Sequence, residues 1–232
     1  MQNKSEEKTS KDLVKKKDFI ELEFTGYTNG NIFDSNRKED LAKISPKTEP
    51  KKMILAVGEG MVVSGLDKGL EGKEIGKEYE IEVKPKEGFG ERRRDFLKTI
   101  PMKVFTEKNV TPRAGMLLAL DNTVVKIITV SGARVITDFN NPLSGKTLKY
   151  NFKIIKKVND EKIKADALFE VAFRFIPEYE IKDTLVVKGP KILEQIVKSF
   201  SMKFKDLIGK ELSFEEKEEE KQPEKKEKGN SN

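Results

Sequence analysis

Two phenylalanines stand where an aromatic ring could do more than fill a core. Phe33, in Phe33-Asp34-Ser35, and Phe89, in Gly88-Phe89-Gly90, each adjoin a polar or glycine-rich strand end. Little conventional catalytic chemistry accompanies them. The chain has no cysteine and no histidine, which excludes disulfides, thiolate nucleophiles, imidazole bases and the usual zinc sites. A Ser-His-Asp triad is impossible. No loop has the acidic spacing of a calcium site, so neither a metal nor a cofactor is expected. Any reaction run here draws on shape, desolvation and hydrogen bonds.

Hydropathy patterning supplies the scaffold for those rings. Phe19, Glu21, Glu23 and Thr25 alternate with Ile20, Leu22 and Phe24, which predicts a half-buried strand. Asn29-Gly30 turns the chain, and Phe33-Asp34-Ser35 ends the returning strand. Residues 36–51, with Pro46 and Pro50, read as a polar loop before a short strand from Met53 to Val57. Gly58-Glu59-Gly60 breaks that strand. Val62, Val63, Leu66 and Leu70 then give a helix of one to two turns within 61–71, punctuated by Gly65 and Gly69, ahead of the strand Glu78 to Val83. Residues 91–140 form a separate block whose clearest feature is a hairpin, Thr123 to Val130 and Ala133 to Asp138 around Ser131-Gly132. Thr147 to Val158 alternates again, with Leu148, Tyr150, Phe152 and Ile154 on one face.

The last block changes period. Ile163, Ala167, Leu168, Val171 and Phe175 fit one helical face that Pro177 stops. Tyr179 to Lys188 reads as a strand broken at Asp183-Thr184. Pro190 precedes a second helix carrying Ile192, Leu193, Ile196, Val197 and Phe200, and Leu207 to Phe214 returns as a strand.

Apolar residues make up 36% of the 232 and charged ones 37%, so a core requires that polarity be gathered somewhere. It is gathered at the ends, 1–17 and 215–232. The first holds six Lys against three acids and the second five Lys against seven Glu. The net charge of +6 is modest for this length and argues against nucleic acid as a partner. No apolar run reaches the roughly 18 residues of a membrane span. Met1 to Lys17 lacks an apolar signal core. A cytoplasmic protein without a membrane partner is the expectation.

Taken in order, Phe24-Thr25-Gly26, Phe33-Asp34-Ser35, Gly58-Glu59-Gly60-Met61-Val62-Val63-Ser64-Gly65-Leu66, Gly88-Phe89-Gly90 and Leu148-Lys149-Tyr150 resemble the FKBP-type prolyl isomerases. The inserted block and the turn Asn141-Pro142-Leu143-Ser144-Gly145-Lys146 are similar to the SlyD-like branch, and the C-terminal extension to the long archaeal members. The resemblance covers about residues 17–157. It implies an α+β fold: an FKBP-like antiparallel sheet wrapped on a short helix, an inserted small β-rich domain and a C-terminal α/β unit. The expected organisation is a flexible tail over 1–17, an isomerase domain over 18–90 and 140–157, an inserted client-binding domain over 91–139, a C-terminal α/β domain over 158–214 and a disordered charged tail over 215–232.

The resemblance also implies an activity, rotation of X-Pro bonds in unfolded or partly folded polypeptides, with chaperone activity through the insert. Peptide rotation is slow because nitrogen conjugates with the carbonyl, a barrier of about 18–20 kcal/mol. The twisted transition state is less dipolar, so an apolar, water-poor cavity favours it over the planar ground state. A hundred- to ten-thousand-fold acceleration asks for only about 3–5.5 kcal/mol, within reach of shape, desolvation and one or two hydrogen bonds. A site without His or Cys suits this chemistry.

By the same resemblance the pocket walls are Phe24, Phe33, Phe89 and Tyr150, with Leu66 as floor. Val62 and Val63 match the segment that lines the pocket and offers a backbone N–H to a substrate carbonyl. Asp34 matches an acid near the reacting amide, and Met53 and Leu55 match further wall positions. In the insert, Phe96, Leu97, Ile100, Met102, Val104, Phe105, Met116, Leu117 and Leu118 are candidates for an adaptable client groove, a minority of them exposed. Arg92-Arg93-Arg94 reads as a charged hinge. The C-terminal unit is a candidate for homodimerisation or further client contact.

The sequence departs from the family pattern in places. Phe24 and Phe89 stand where Tyr is common, each dropping a hydroxyl that would bond substrate or a macrolide. Asn141 replaces a His common in the exit turn, and the His-rich metal-binding tail of bacterial SlyD is absent. The rival from another functional class is a non-catalytic holdase whose cleft only binds.

Overall fold

In the computed structural model the described residues are 13–120 and 123–217. Along the chain run β1 (Phe19–Thr28), β2 (Asn31–Ser35), α1 (Lys38–Ile44), β3 (Met53–Ala56), α2 (Ser64–Leu70) and β4 (Glu78–Val83). Then come β5 (Leu97–Pro101), α3 (Met102–Thr106), β6 (Leu117–Leu120), β7 (Thr123–Ser131), β8 (Arg134–Asp138) and β9 (Leu148–Lys157). The chain closes with α4 (Glu161–Phe173), β10 (Glu178–Ile181), β11 (Leu185–Gly189), α5 (Leu193–Ile208) and β12 (Leu212–Glu216).

The fold is α+β. The first sheet has the order β2-β1-β9-β4, and β3 pairs the opening half of β1 while β2 pairs its closing half. All these pairings are antiparallel. The alternation read from sequence sets its inner face: Ile20, Leu22 and Phe24 from β1 and Leu148, Tyr150, Phe152 and Ile154 from β9 are buried in one cluster. The sheet wraps α2, which buries Leu66 and Leu70. Gly65 and Gly69 let that helix lie close on β4. A Cβ at Gly65 would meet Val83 Cγ1 at 2.5 Å, and one at Gly69 would meet Ile81 Cδ1 at 2.7 Å.

Between β4 and β9 the chain builds a second, four-stranded sheet, β5-β8-β7-β6, over its own small core of Phe105, Leu120, Val125, Ile127 and Val135. After β9 a third sheet, β10-β11-β12, packs with α4 and α5 around Leu168, Phe169, Phe173, Leu185, Val187, Val197 and Phe204. The crossover through α5 makes β11 and β12 parallel. β3 serves both neighbouring cores. Leu55 and Met53 face the first, while Ala56 and Ile54 face the third, where Phe19 joins them.

Several expectations need correction. The solvated tail does not extend to Lys17: Leu13 bridges Glu74 and Val14 is buried in the first core. Residues 1–12 lie outside those described. The polar stretch 36–51 contains α1, which offers one buried apolar residue, Leu41, too few to make a period. The buried residues of α4 are Ala165, Ala167, Leu168, Phe169 and Phe173, while Ile163, Val171 and Phe175 are exposed. Apolar residues on more than one side of this helix left its phase ambiguous. α5 runs on through Leu207 and Ile208 to Gly209, whose φ of +84° ends it, so the last strand starts only at Leu212. Ile192 is exposed before that helix begins. Glu215 and Glu216, expected in a disordered charged tail, instead belong to β12; residues 218–232 lie outside those described.

Candidate active site

Strand-end geometry brings the predicted rings together from distant segments. Phe24 comes from β1 and Phe33 from β2, Tyr150 comes from β9, and Phe89 follows β4. Phe33 meets Phe89 edge to face with centroids 6.4 Å apart and Tyr150 likewise at 5.8 Å; Tyr150 and Phe24 lie 6.1 Å apart. Leu66 from α2 and Leu55 from β3 are buried in the same cluster. Met53, Val62, Val63, Phe33 and Phe89 are half-buried against it. The result is an apolar cluster framed by aromatic rings, with Phe33 and Phe89 at its half-buried edge.

Gly26 makes room for one wall. It sits opposite Asp34 in β2 and Tyr150 in β9, and a Cβ there would lie 2.5 Å from Phe33 Cζ. The hairpin is locked beneath the rings by side chains. Asn36 Oδ1 accepts the Phe24 N–H at 2.8 Å and its Nδ2 donates to Leu22 O at 2.7 Å, while Ser35 Oγ donates to Phe24 O at 2.9 Å. Thr25 Oγ1, buried, donates to Asp40 Oδ2 of α1 at 2.8 Å.

Two further clamps hold the other walls, and sequence reasoning missed the first. Asp67, buried in α2, accepts the Gly58 N–H at 2.8 Å and the Gly60 N–H at 2.9 Å, fixing the turn that delivers Met61-Val62-Val63. An acid following Leu66 in a glycine-flanked helix was the available signal. Among the described residues neither Val62 nor Val63 gives its backbone N–H to another protein group. The exit turn of the insert pins Phe89: Ser144 Oγ donates to Phe89 O at 2.9 Å and Gly145 N to Gly90 O at 2.8 Å.

Asp34 is exposed at the rim. Desolvation by its apolar surroundings nevertheless raises its carboxyl above the ordinary carboxylate range, partly opposed by the Ser35 backbone N–H. Burial, with a smaller contribution from the Asp34 charge, pushes the Tyr150 hydroxyl up to about 12. In both, desolvation is the larger cause.

The insert divides its candidates. Phe96, Leu97, Met116 and Leu117 are exposed. Ile100, Met102 and Leu118 instead pack against the insert's own core, and Phe105 is fully buried there, so these are poorly placed for a client. The strand period decides it: Leu118 pairs with Val125 on the inward face and Leu117 with Lys126 on the outward one. Exposed Val124, Ile128 and Ile136 extend the outward apolar surface and were not singled out from sequence. The hinge arginines are engaged, Arg92 with Asp138 at 2.5 Å and Arg93 with Asp95 and over the Phe96 ring.

Among the described residues no helix is long and apolar enough to cross a membrane. Comparison with known proteins gives two family matches: FKBP-type peptidyl-prolyl cis-trans isomerase over residues 10–110, and FKBP26, IF domain, over 98–143. A short-type peptidyl-prolyl cis-trans isomerase of Methanocaldococcus jannaschii is 30% identical over 146 residues, 61% of this chain and 92% of that protein. The FKBP-type peptidyl-prolyl cis-trans isomerase SlyD of Helicobacter pylori is 28% identical over 159 residues, 66% of this chain and 79% of its own. The SlyD of Escherichia coli K12 is 28% identical over 124 residues, 51% and 62% respectively.

Proposed function

The chain belongs to the FKBP-type peptidyl-prolyl cis-trans isomerases, and on that premise we propose that the aromatic-framed pocket is where it turns X-Pro bonds, with the insert holding unfolded chains beside it. The observation that carries the first part is the chain of ring contacts Phe24–Tyr150–Phe33–Phe89 over Leu66. In this reading the proline ring lies on Leu66 between the aromatic walls. Water is displaced, and the less dipolar twisted amide is favoured over the planar one. The free backbone N–H of Val62 or Val63 bonds a substrate carbonyl, fixing one side of the bond while the other turns. Asp34 stands at the rim, where its charge responds to the amide as conjugation is lost.

The second part is supported by the outward face of the insert sheet, where Leu117 is 57% exposed and Val124 53%. Apolar surface of this kind on a small sheet suits transient contact with unfolded polypeptide. The test is a coupled isomerisation assay on X-Pro tetrapeptides, alongside refolding of a proline-limited protein. Deleting residues 92–138 should spare the first and impair the second. A holdase would give no tetrapeptide turnover in either form.

A further inference from the structure

Helix α4 has a second apolar stripe that its own core does not use. Ile163, Ala167 and Val171 follow at i, i+4 and i+8, roughly half a turn round the helix from Ala165, Leu168 and Phe169. Val171 is 37% exposed although apolar. Its Ala167 and Val171 border a cleft of about 380 Å³ between the C-terminal unit and the isomerase sheet. Ala167 and Val171 wall one side, and Phe24, Met53, Leu55 and Met61 wall the other. Phe24, Met53, Leu55 and the rim residue Asp34 belong to the aromatic pocket too. The cleft is therefore a continuation of that pocket as far as α4.

The far wall is held in place. β3 contributes one face to each core, and Met61 packs against both. The chain enters α4 directly from β9, with Val158 N–H donating to Phe19 O at 2.7 Å. Lys164 lies over the Phe19 ring at 5.4 Å, and Lys17 pairs with Asp206 of α5 at 2.6 Å.

We propose that α4 completes the substrate cleft, receiving an apolar side chain of the polypeptide that flanks the X-Pro bond. This deepens the isomerase reading and rests on it. The rim carries both signs, Asp34, Glu49 and Glu170 against Lys51 and Lys52, so charge is nearly balanced and the apolar walls set the preference. The two methionines, Met53 and Met61, adapt to Leu, Phe or Met alike. The C-terminal unit is thus part of what selects substrate.

The test uses the full chain and Ala-Pro hexapeptides in which Leu replaces Ser at each flanking position in turn. At one position or at two adjacent ones, Leu should raise kcat/KM about tenfold over Ser, the discrimination an apolar pocket gives. Val171→Trp, which fills the cleft from an exposed site, and Val171→Asp, which makes it polar, should both cut the ratio of kcat/KM for the Leu peptide over the Ser peptide towards one. Turnover with no dependence on flanking Leu, or a Leu preference that both variants retain, overturns this inference and leaves the isomerase reading standing. Absence of turnover on every peptide overturns both.

Discussion

Two glycines of one hairpin should fail in different ways when given a methyl group. A Cβ at Gly26 would lie 2.5 Å from Phe33 Cζ and 2.9 Å from Cε1. Carbon atoms pack at about 3.5–4.0 Å, so a gap of about 1 Å or more must open. The backbone of β1 cannot easily supply it, being paired with β2, β3 and β9. The Phe33 ring therefore moves, and its contacts with Phe89 and Tyr150 go with it. A displacement of about 1 Å near reacting atoms costs up to about a hundredfold in rate. For a site acting through shape and desolvation we expect Gly26→Ala to lower kcat/KM on an X-Pro tetrapeptide about tenfold, or about 1.4 kcal/mol. Gly30, at the tip, has φ +77° and nothing within 4 Å. Gly30→Ala should cost stability of about 1–2 kcal/mol through left-handed strain, read as a fall in Tm, with kcat/KM kept. Full activity in Gly26→Ala, or equal activity losses in the two variants, would refute the reasoning.

Other consequences concern the clamps, the cavity and the insert. Asp67→Ala leaves the Gly58 and Gly60 N–H groups without their charged acceptor, a loss of about 2–4 kcal/mol. Urea unfolding should show it as a lower midpoint, and kcat/KM should fall as Val62 and Val63 loosen. Tyr150 bears on alkaline stability: its hydroxyl ionises at about 12 when folded against an ordinary 10.0. The folded state therefore holds the proton more tightly, and stability present below pH 10 should be lost as pH climbs towards 12, by about 2–3 kcal/mol. Tyr150→Phe should flatten that limb of a denaturation series, and an unchanged limb would count against the buried hydroxyl. Val124→Lys with Ile136→Lys should slow assisted refolding of a proline-limited protein more than tetrapeptide turnover, measured side by side.

What could be read from sequence follows from how locally each feature is encoded. β9 was legible because it buries every second residue and β1 because Ile20, Leu22 and Phe24 are apolar on one face, although Phe19 and Thr25 on the other are buried too, and the Asn29-Gly30 turn because its residues accept positive φ. α1 was not, since Leu41 alone turns inward and its tie to β1, Thr25 donating to Asp40, joins residues distant in sequence. α4 was phased wrongly because Ala167 and Val171 border a cleft formed with another part of the chain, which no local period reports. The clustering of Phe24, Phe33, Phe89 and Tyr150 was legible only as an ordered set of motifs. Asp67 was missed because its partners are backbone N–H groups, which every residue but proline has.

Phe33 touches both neighbouring rings, so the central claim turns on it. The direct measurement is the coupled isomerisation rate on an X-Pro tetrapeptide for wild type and Phe33→Ala, with circular dichroism confirming that both are folded. Clear acceleration by the wild type and at least about a tenfold loss of kcat/KM in the variant are expected. Equal rates for the two folded proteins would contradict it.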